Sequence, residues 1–245
     1  MERRNFLALT GVAAGFAAAS ASAKIRTSDL SSVKGPVVDL GSPKGNMEAL
    51  ARLMGNTVMK STKYGWAQGL VQGMRPGEAV RDICGFTMLS CAKLLPHESG
   101  TGFRKVLREI GLYTDLKSGE IVEELRNPYL DEMVKVVPIT NDPFNQHITP
   151  FAQTAPSYGG INRAALPPPT PLQLNWTRRG PSLNLLAYIN LFYPSLLPPA
   201  KWPRENANRF NQVTETFLYQ IAWADMQNAR KTSVEYTGTW SWITP

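Results

Sequence analysis

Histidine and cysteine are scarce: two of each occur in 245 residues. Two cysteines exclude a disulfide framework of the kind that holds small secreted domains together. Cys84 and Cys91 lie at an odd spacing, so on one straight strand they face opposite sides. That predicts two separate thiols, and a bridge would need a turn between them. His97 and His147 stand far apart in sequence, and with two cysteines they make a poor zinc set. No metal ligand set is expected. Gly-x-Ser-x-Gly, phosphate-loop and Gly-x-Gly-x-x-Gly patterns are all missing, which removes the common hydrolase and nucleotide fingerprints. No cofactor can be named. No stretch approaches the length of apolar sequence that a stable membrane helix needs.

The net charge is +7. Its basic residues are scattered, with short pairs such as Arg178-Arg179 and Arg230-Lys231. A nucleic-acid surface concentrates such charge on one face or arm, so no nucleic-acid partner is expected. The hydrophobic fraction of 43% is ordinary for a folded chain.

The N-terminus reads as an address. Arg3 and Arg4 precede Phe6-Leu7, as in a twin-arginine signal. A short run rich in Ala and Gly follows, and Ala21-Ser22-Ala23 offers a small-x-small cleavage site. Residues 1–23 are therefore expected to be a removable signal read by the twin-arginine export machinery, with a mature start at Lys24. The localisation implied is periplasmic or secreted. Residues 24–45 read as an extended lead-in, and 46–245 as a single β-rich domain.

Asn46 is placed to cap a short helix ending at Met54, before Gly55-Asn56. Most of the rest reads as strand. Thr62 to Gly73 sets Tyr64, Trp66 and Leu70 on one face. The other face is small: Gly65, Ala67, Gly69 and Gly73, broken by Val71. A face of small residues permits strong curvature or close approach of a ligand. Strand patterns cover Val80–Leu95, Phe103–Tyr113, Glu120–Leu125 and Met133–Ile139, with short turns between. They describe an antiparallel meander. Pro150–Pro171 reads as a long irregular excursion. Clean alternation returns from Leu183 to Leu191, then from Val213 to Trp223 with Glu215 as the one interruption, and again from Val234 to Trp242. Pro194–Phe210 is rich in proline, with a helical turn or two. The fold class is mainly β: an antiparallel β-barrel or strongly curved sheet of about eight to ten strands, with one or two short helices.

Several of these pieces also occur as an ordered set in one bacterial family. Gly45-Asn46 precedes the helix; Tyr64-Gly65-Trp66, Gly85-Phe86, Arg108-Glu109 and Tyr113-x-Asp115 follow. Gly119-Glu120-Ile121, Asn127-Pro128 and Asn141-Asp142-Pro143-Phe144-Asn145 complete the series, with Tyr236-Thr237-Gly238-Thr239-Trp240 near the end. Over residues 40–150, and plausibly in this tail, the chain resembles the domain of unknown function 1838 family. Members are often twin-arginine exported, and the resemblance implies no substrate. Compared members continue past the tryptophan-rich segment, so the final strands are expected to be either missing, which would leave an open edge near Pro245, or dispensable.

Arg108 and Glu109 are strand neighbours, so they point to opposite faces, and one ionisable group must lie among apolar residues. Tyr113 and Asp115 end the same strand, where they can form a polar rim or organise a turn. Asn141, Asp142 and Asn145 make an amide-rich turn, with His147 close behind as a candidate base that Asp142 can orient. With Trp66, these residues form the candidate ligand-binding set. Three functions remain open. One is binding of a small hydrophobic or aromatic molecule. Another is a cofactor-independent isomerase, cyclase or lyase using Arg108, Glu109 and Tyr113. The last is partner binding in the cell envelope.

Overall fold

The computed structural model of the chain describes residues 12–16, 37–136, 139–143, 145–152, 169–194 and 210–243. The irregular excursion expected over Pro150–Pro171 and the proline-rich segment before Phe210 fall mostly outside these residues. The elements run in the order β1 (Val12–Phe16), α1 (Pro43–Met54), β2 (Lys63–Gly73), β3 (Arg81–Pro96), β4 (Phe103–Thr114), β5 (Glu124–Asn127) and β6 (Glu132–Lys135). Then come β7 (Ile139–Pro143), β8 (Gln146–Ile148), β9 (Trp176–Arg179), β10 (Ser182–Pro194), β11 (Phe210–Ala222), α2 (Trp223–Met226) and β12 (Tyr236–Ile243).

One antiparallel sheet carries nearly all of this, in the order β7-β4-β3-β2-β1-β12-β11-β10-β9, with β8 also on β4. Strands β5 and β6 form a separate hairpin. Two meanders are thus joined through β1. The fold is mainly β and antiparallel, as expected. Among the described residues no pairing joins β7 to β9, and no closed barrel is found. The tail strand is no edge: β12 pairs with β11 on one side and β1 on the other. Val12–Phe16, which the sequence assigns to the removable address, is a sheet strand in the full chain.

Curvature follows from the small face of β2. Phe86 on β3 and Trp240 on β12 sit in one cross-strand row with Gly69 and the Ala14 position between them. On a flat sheet that is three spacings, roughly 14 Å. Their ring centroids are 6.5 Å apart. No side chain at Gly69 obstructs the approach, and the sheet curls to bring the rings together.

Helix α1 closes one end of the concavity. Ser42, not Asn46, is its N-cap: the Ser42 hydroxyl accepts from the Gly45 N–H, and Pro43 takes the first turn where no N–H is needed. Asn46 is instead fully buried and ties the helix to the sheet. It donates to the carbonyls of Leu40 and Ser42, and its amide oxygen accepts from the Leu174 N–H and the Trp176 indole. Ala49 and Leu53 pack against Leu183, Leu185 and Ile221 of the second meander. Met47 and Ala51 pack against Leu94 and Ile148 of the first. One helix thus bridges both halves. The residue after its end is held to glycine, because a Cβ on Gly55 would stand 2.6 Å from the Leu94 side chain. The alternating run expected through Trp223 stops one residue sooner, since Trp223 opens α2.

Candidate functional site

Strand register assigns each residue to a face. The inner face holds Ala67 and Val71 of β2, Cys84 and Phe86 of β3, and Leu107, Glu109 and Tyr113 of β4, in matching rows. Across the concavity it holds Glu215, Phe217 and Tyr219 of β11 with Trp240 and Trp242 of β12. An aromatic row crosses the trough. Tyr113 lies 5.3 Å from Phe86, and Trp240 stacks at 6.0 Å on Phe217. The indole N–H groups of Trp240 and Trp242 are buried without a partner.

Ionisable groups converge on the same face. Burial pushes the Glu215 carboxyl up to about 7, and the Glu109 charge adds to that rise. On a flat sheet β4 and β11 would be roughly 24 Å apart, too far for such an effect in salt solution. The curl brings the two carboxylates close enough for one charge to act on the other. Tyr219 and Tyr236 are likewise held well above the usual phenol range by burial first, with Glu109 contributing to both. Burial lowers Lys105 to about 8, and Glu109 partly offsets it. Lys105 donates to the Gln146 side chain at 3.2 Å. Burial also lowers Lys63 to about 8. Its ammonium donates to the carbonyls of Leu53, at the end of α1, and Val234. Lys63 therefore caps a helix C-terminus, where a cation is favoured. A depression of about 350 Å³ opens beside it, lined by Asn56, Thr62, Tyr64 and Glu235.

The candidate residues read from sequence divide. Glu109 and Tyr113 lie together on the inner face, and burial raises the Tyr113 phenol, with Cys84 adding to it. Arg108 points away. Its guanidinium donates to the Leu107 carbonyl and to Asn145 on the outer side. Asn145 is exposed and also accepts from the Leu107 N–H. Trp66 is on the outer face of β2, 38% exposed, beside Tyr64 at 77%. The small residues of that strand took the inside, so the large ones face out. Asp115 is exposed and organises its turn, accepting from the Lys117 and Ser118 N–H groups, and these bonds hold its carboxyl below the ordinary value. Asn141 and Asp142 lie on β7, with Asp142 opposite Glu109 in register. Their side chains fall outside the described residues. The His147 ring meets the ring of His97, with Nδ1 of one 2.9 Å from Nε2 of the other.

Glu215 and Lys105 also stand on the inner face, outside the candidate set that the sequence offers, whereas Trp240 and Trp242 are among the six tryptophans that the sequence offers as a cavity lining. A signal existed: Glu215 was the single charged interruption in an alternating apolar strand. Lys105 stands two residues before Leu107, on the face that Glu109 shares. The two cysteines are free, as expected. Cys84 is buried and Cys91 half-buried, on opposite faces of β3. Among the described residues no helix is long and apolar enough to cross a membrane.

These features define a class: an antiparallel β protein whose curled sheet carries an aromatic row and two interacting carboxylates on its concave face. The particular family is also shown. The description "Protein of unknown function (DUF1838)" belongs to the family profile that matches residues 59–245, and the chain belongs to that family. No curated protein and no solved structure matches.

Proposed function

We propose that this is an exported protein that binds a small, flat, largely apolar molecule in the trough of its curled sheet. The observation that carries this is the ring row Phe86–Trp240–Phe217 beside two buried indole N–H groups that lack partners. Buried donors without acceptors are uncommon in folded proteins and call for an explanation. A ligand carrying a hydrogen-bond acceptor, such as a carbonyl, supplies one. Glu109 and Glu215 disfavour an anionic ligand at the same place. Export by the twin-arginine route, with Arg3 and Arg4 as the recognition pair, accompanies this reading.

Titration with N-phenylnaphthylamine, a neutral aromatic fluorophore, tests the binding site. Its emission should rise and saturate with wild type and with Trp66→Ala, and fail to rise with Trp240→Ala. Equal loss in the Trp66 and Trp240 variants, or no saturable signal in wild type, refutes the inner trough as the site.

A second reading is supported by the carboxylate pair. Glu215 titrating at about 7 beside Glu109 is suited to proton transfer. In a cofactor-independent isomerase, cyclase or lyase these two carboxyls with Tyr113 would hold the chemistry, and Arg108 would not. Glu215→Gln separates the readings, because it abolishes turnover of any substrate found while leaving probe binding in place.

A further inference from the structure

The chain has two histidines, and the fold brings them together at its rim. His97 follows the end of β3 and opens the turn into β4. His147 lies on β8, opposite Arg104 of β4 in register. Fifty residues separate them, yet His97 Nε2 stands 2.9 Å from His147 Nδ1. The rings meet edge to face at 5.0 Å between centroids. One ligand atom from each of His97, Glu98 and His147 falls within 4.8 Å of the others.

This meeting is built by the fold. Gly102 has φ +95, and a Cβ on it would stand 2.2 Å from the Ile148 carbonyl. Only glycine tolerates both that backbone and that approach, so it lets β8 lie against the turn. The Ile148 side chain is buried in the cluster with Leu94, Met47 and Ala51. That anchor fixes the register of β8, and the register fixes His147. On the other side the His97 N–H donates to the Gly102 carbonyl, closing the turn.

We propose that His97, Glu98 and His147 form a surface site for a divalent transition metal, of which Zn²⁺ is the probe. Two imidazole nitrogens and one carboxylate oxygen suit zinc, copper or nickel, and are ill matched to Mg²⁺ and Ca²⁺, which take oxygen ligands. The metal replaces the ring-to-ring hydrogen bond by bonding both nitrogens. The Ser99 hydroxyl lies 2.7 Å from His97 Nδ1. The Ser99 N–H also donates to Nδ1, at 3.1 Å. With Nε2 on the metal the ring proton moves to Nδ1, that bond is given up, and the Ser99 hydroxyl becomes the acceptor, the usual outer support of a metal-bound histidine. His147 and Glu98 are exposed, so water fills the remaining positions. Cys84 competes poorly. Burial pushes the Cys84 thiol up to about 11, which keeps it protonated.

Calorimetric titration of ZnCl₂ into the full chain tests this, using protein without a polyhistidine tag and carrying Cys91→Ser. One saturable site is expected, with Mg²⁺ in excess failing to displace it. His97→Ala and His147→Ala should each weaken it by about tenfold or more, and Ser99→Ala by about tenfold. Circular dichroism checks that the variants fold. If one does not, X-ray absorption of the zinc-loaded wild type decides, and should show two imidazole nitrogens at about 2.0–2.1 Å. No zinc binding, unchanged affinity in His147→Ala, or an absorption spectrum without imidazole overturns the site.

Discussion

The trough and the rim of this sheet use polar side chains in opposite ways. In the trough, Glu215 and Lys105 are held out of water, so burial sets their proton affinity, and the Glu109 charge raises both. At the rim, His97 and His147 meet in the open, and the approach of one strand to one turn sets their geometry. The difference teaches where substitutions will register. A trough change alters stability and its pH dependence. A rim change leaves the fold intact and alters what the surface holds.

The sharpest way to break the comparison is to cut the tie between the halves that frame the trough. Asn46→Ala removes the amide that serves Leu174, Trp176, Leu40 and Ser42. Leaving such buried partners unmet should cost about 3 to 4 kcal/mol in urea unfolding. A loss under about 1 kcal/mol would mean that α1 does not bridge the two meanders.

Glu215→Gln comes next in size. Its folded value of about 7 lies above the ordinary glutamate value of 4.5, so the folded state holds the proton more tightly. Its contribution is fully present below the unfolded value and is lost as pH rises through 7. The wild type should therefore lose on the order of 2 to 3 kcal/mol across that window, and the glutamine variant should not. Denaturant midpoints at pH 4.5 and pH 8 read this directly, and parallel pH profiles would contradict a buried carboxyl. Lys63 and Lys105 act in a higher window. Each has a folded value of about 8, below 10.5, so stability should rise from pH 8 towards 10.

His147→Ala is the smallest change to the fold. As an exposed side chain away from the core, it should shift metal-free stability by about 0.5 kcal/mol or less. A loss of several kcal/mol would show that the rim is part of the fold's support and erase the contrast with the trough.

Legibility in the sequence follows the same division. Alternation located β2, β3, β4, β10, β11 and β12, because burial of one face writes a period of two into the chain. It also isolated Glu109 and Tyr113 and marked Glu215 as the one break in its strand. It could not say that Trp66 faces out, since the pattern gives two faces and not which one is inside. Asn46 looked like a cap because its residue type favours that role. Its actual partners, Leu174 and Trp176, are more than a hundred residues away. The histidine pair was invisible for a related reason. Its proximity depends on Gly102 admitting β8, a tertiary event that no local spacing encodes. The exchange of β1 into the sheet is of the same kind, because its partners β2 and β12 come from opposite ends of the chain.

The claim on which most depends is that the trough holds a small molecule. Native mass spectrometry of protein purified from its own host, without organic solvent, tests it most directly. Wild type and Trp66→Ala should carry a small added mass that denaturation releases, and Trp240→Ala should carry none. A bare chain mass in all three, from protein that remains folded, would contradict it.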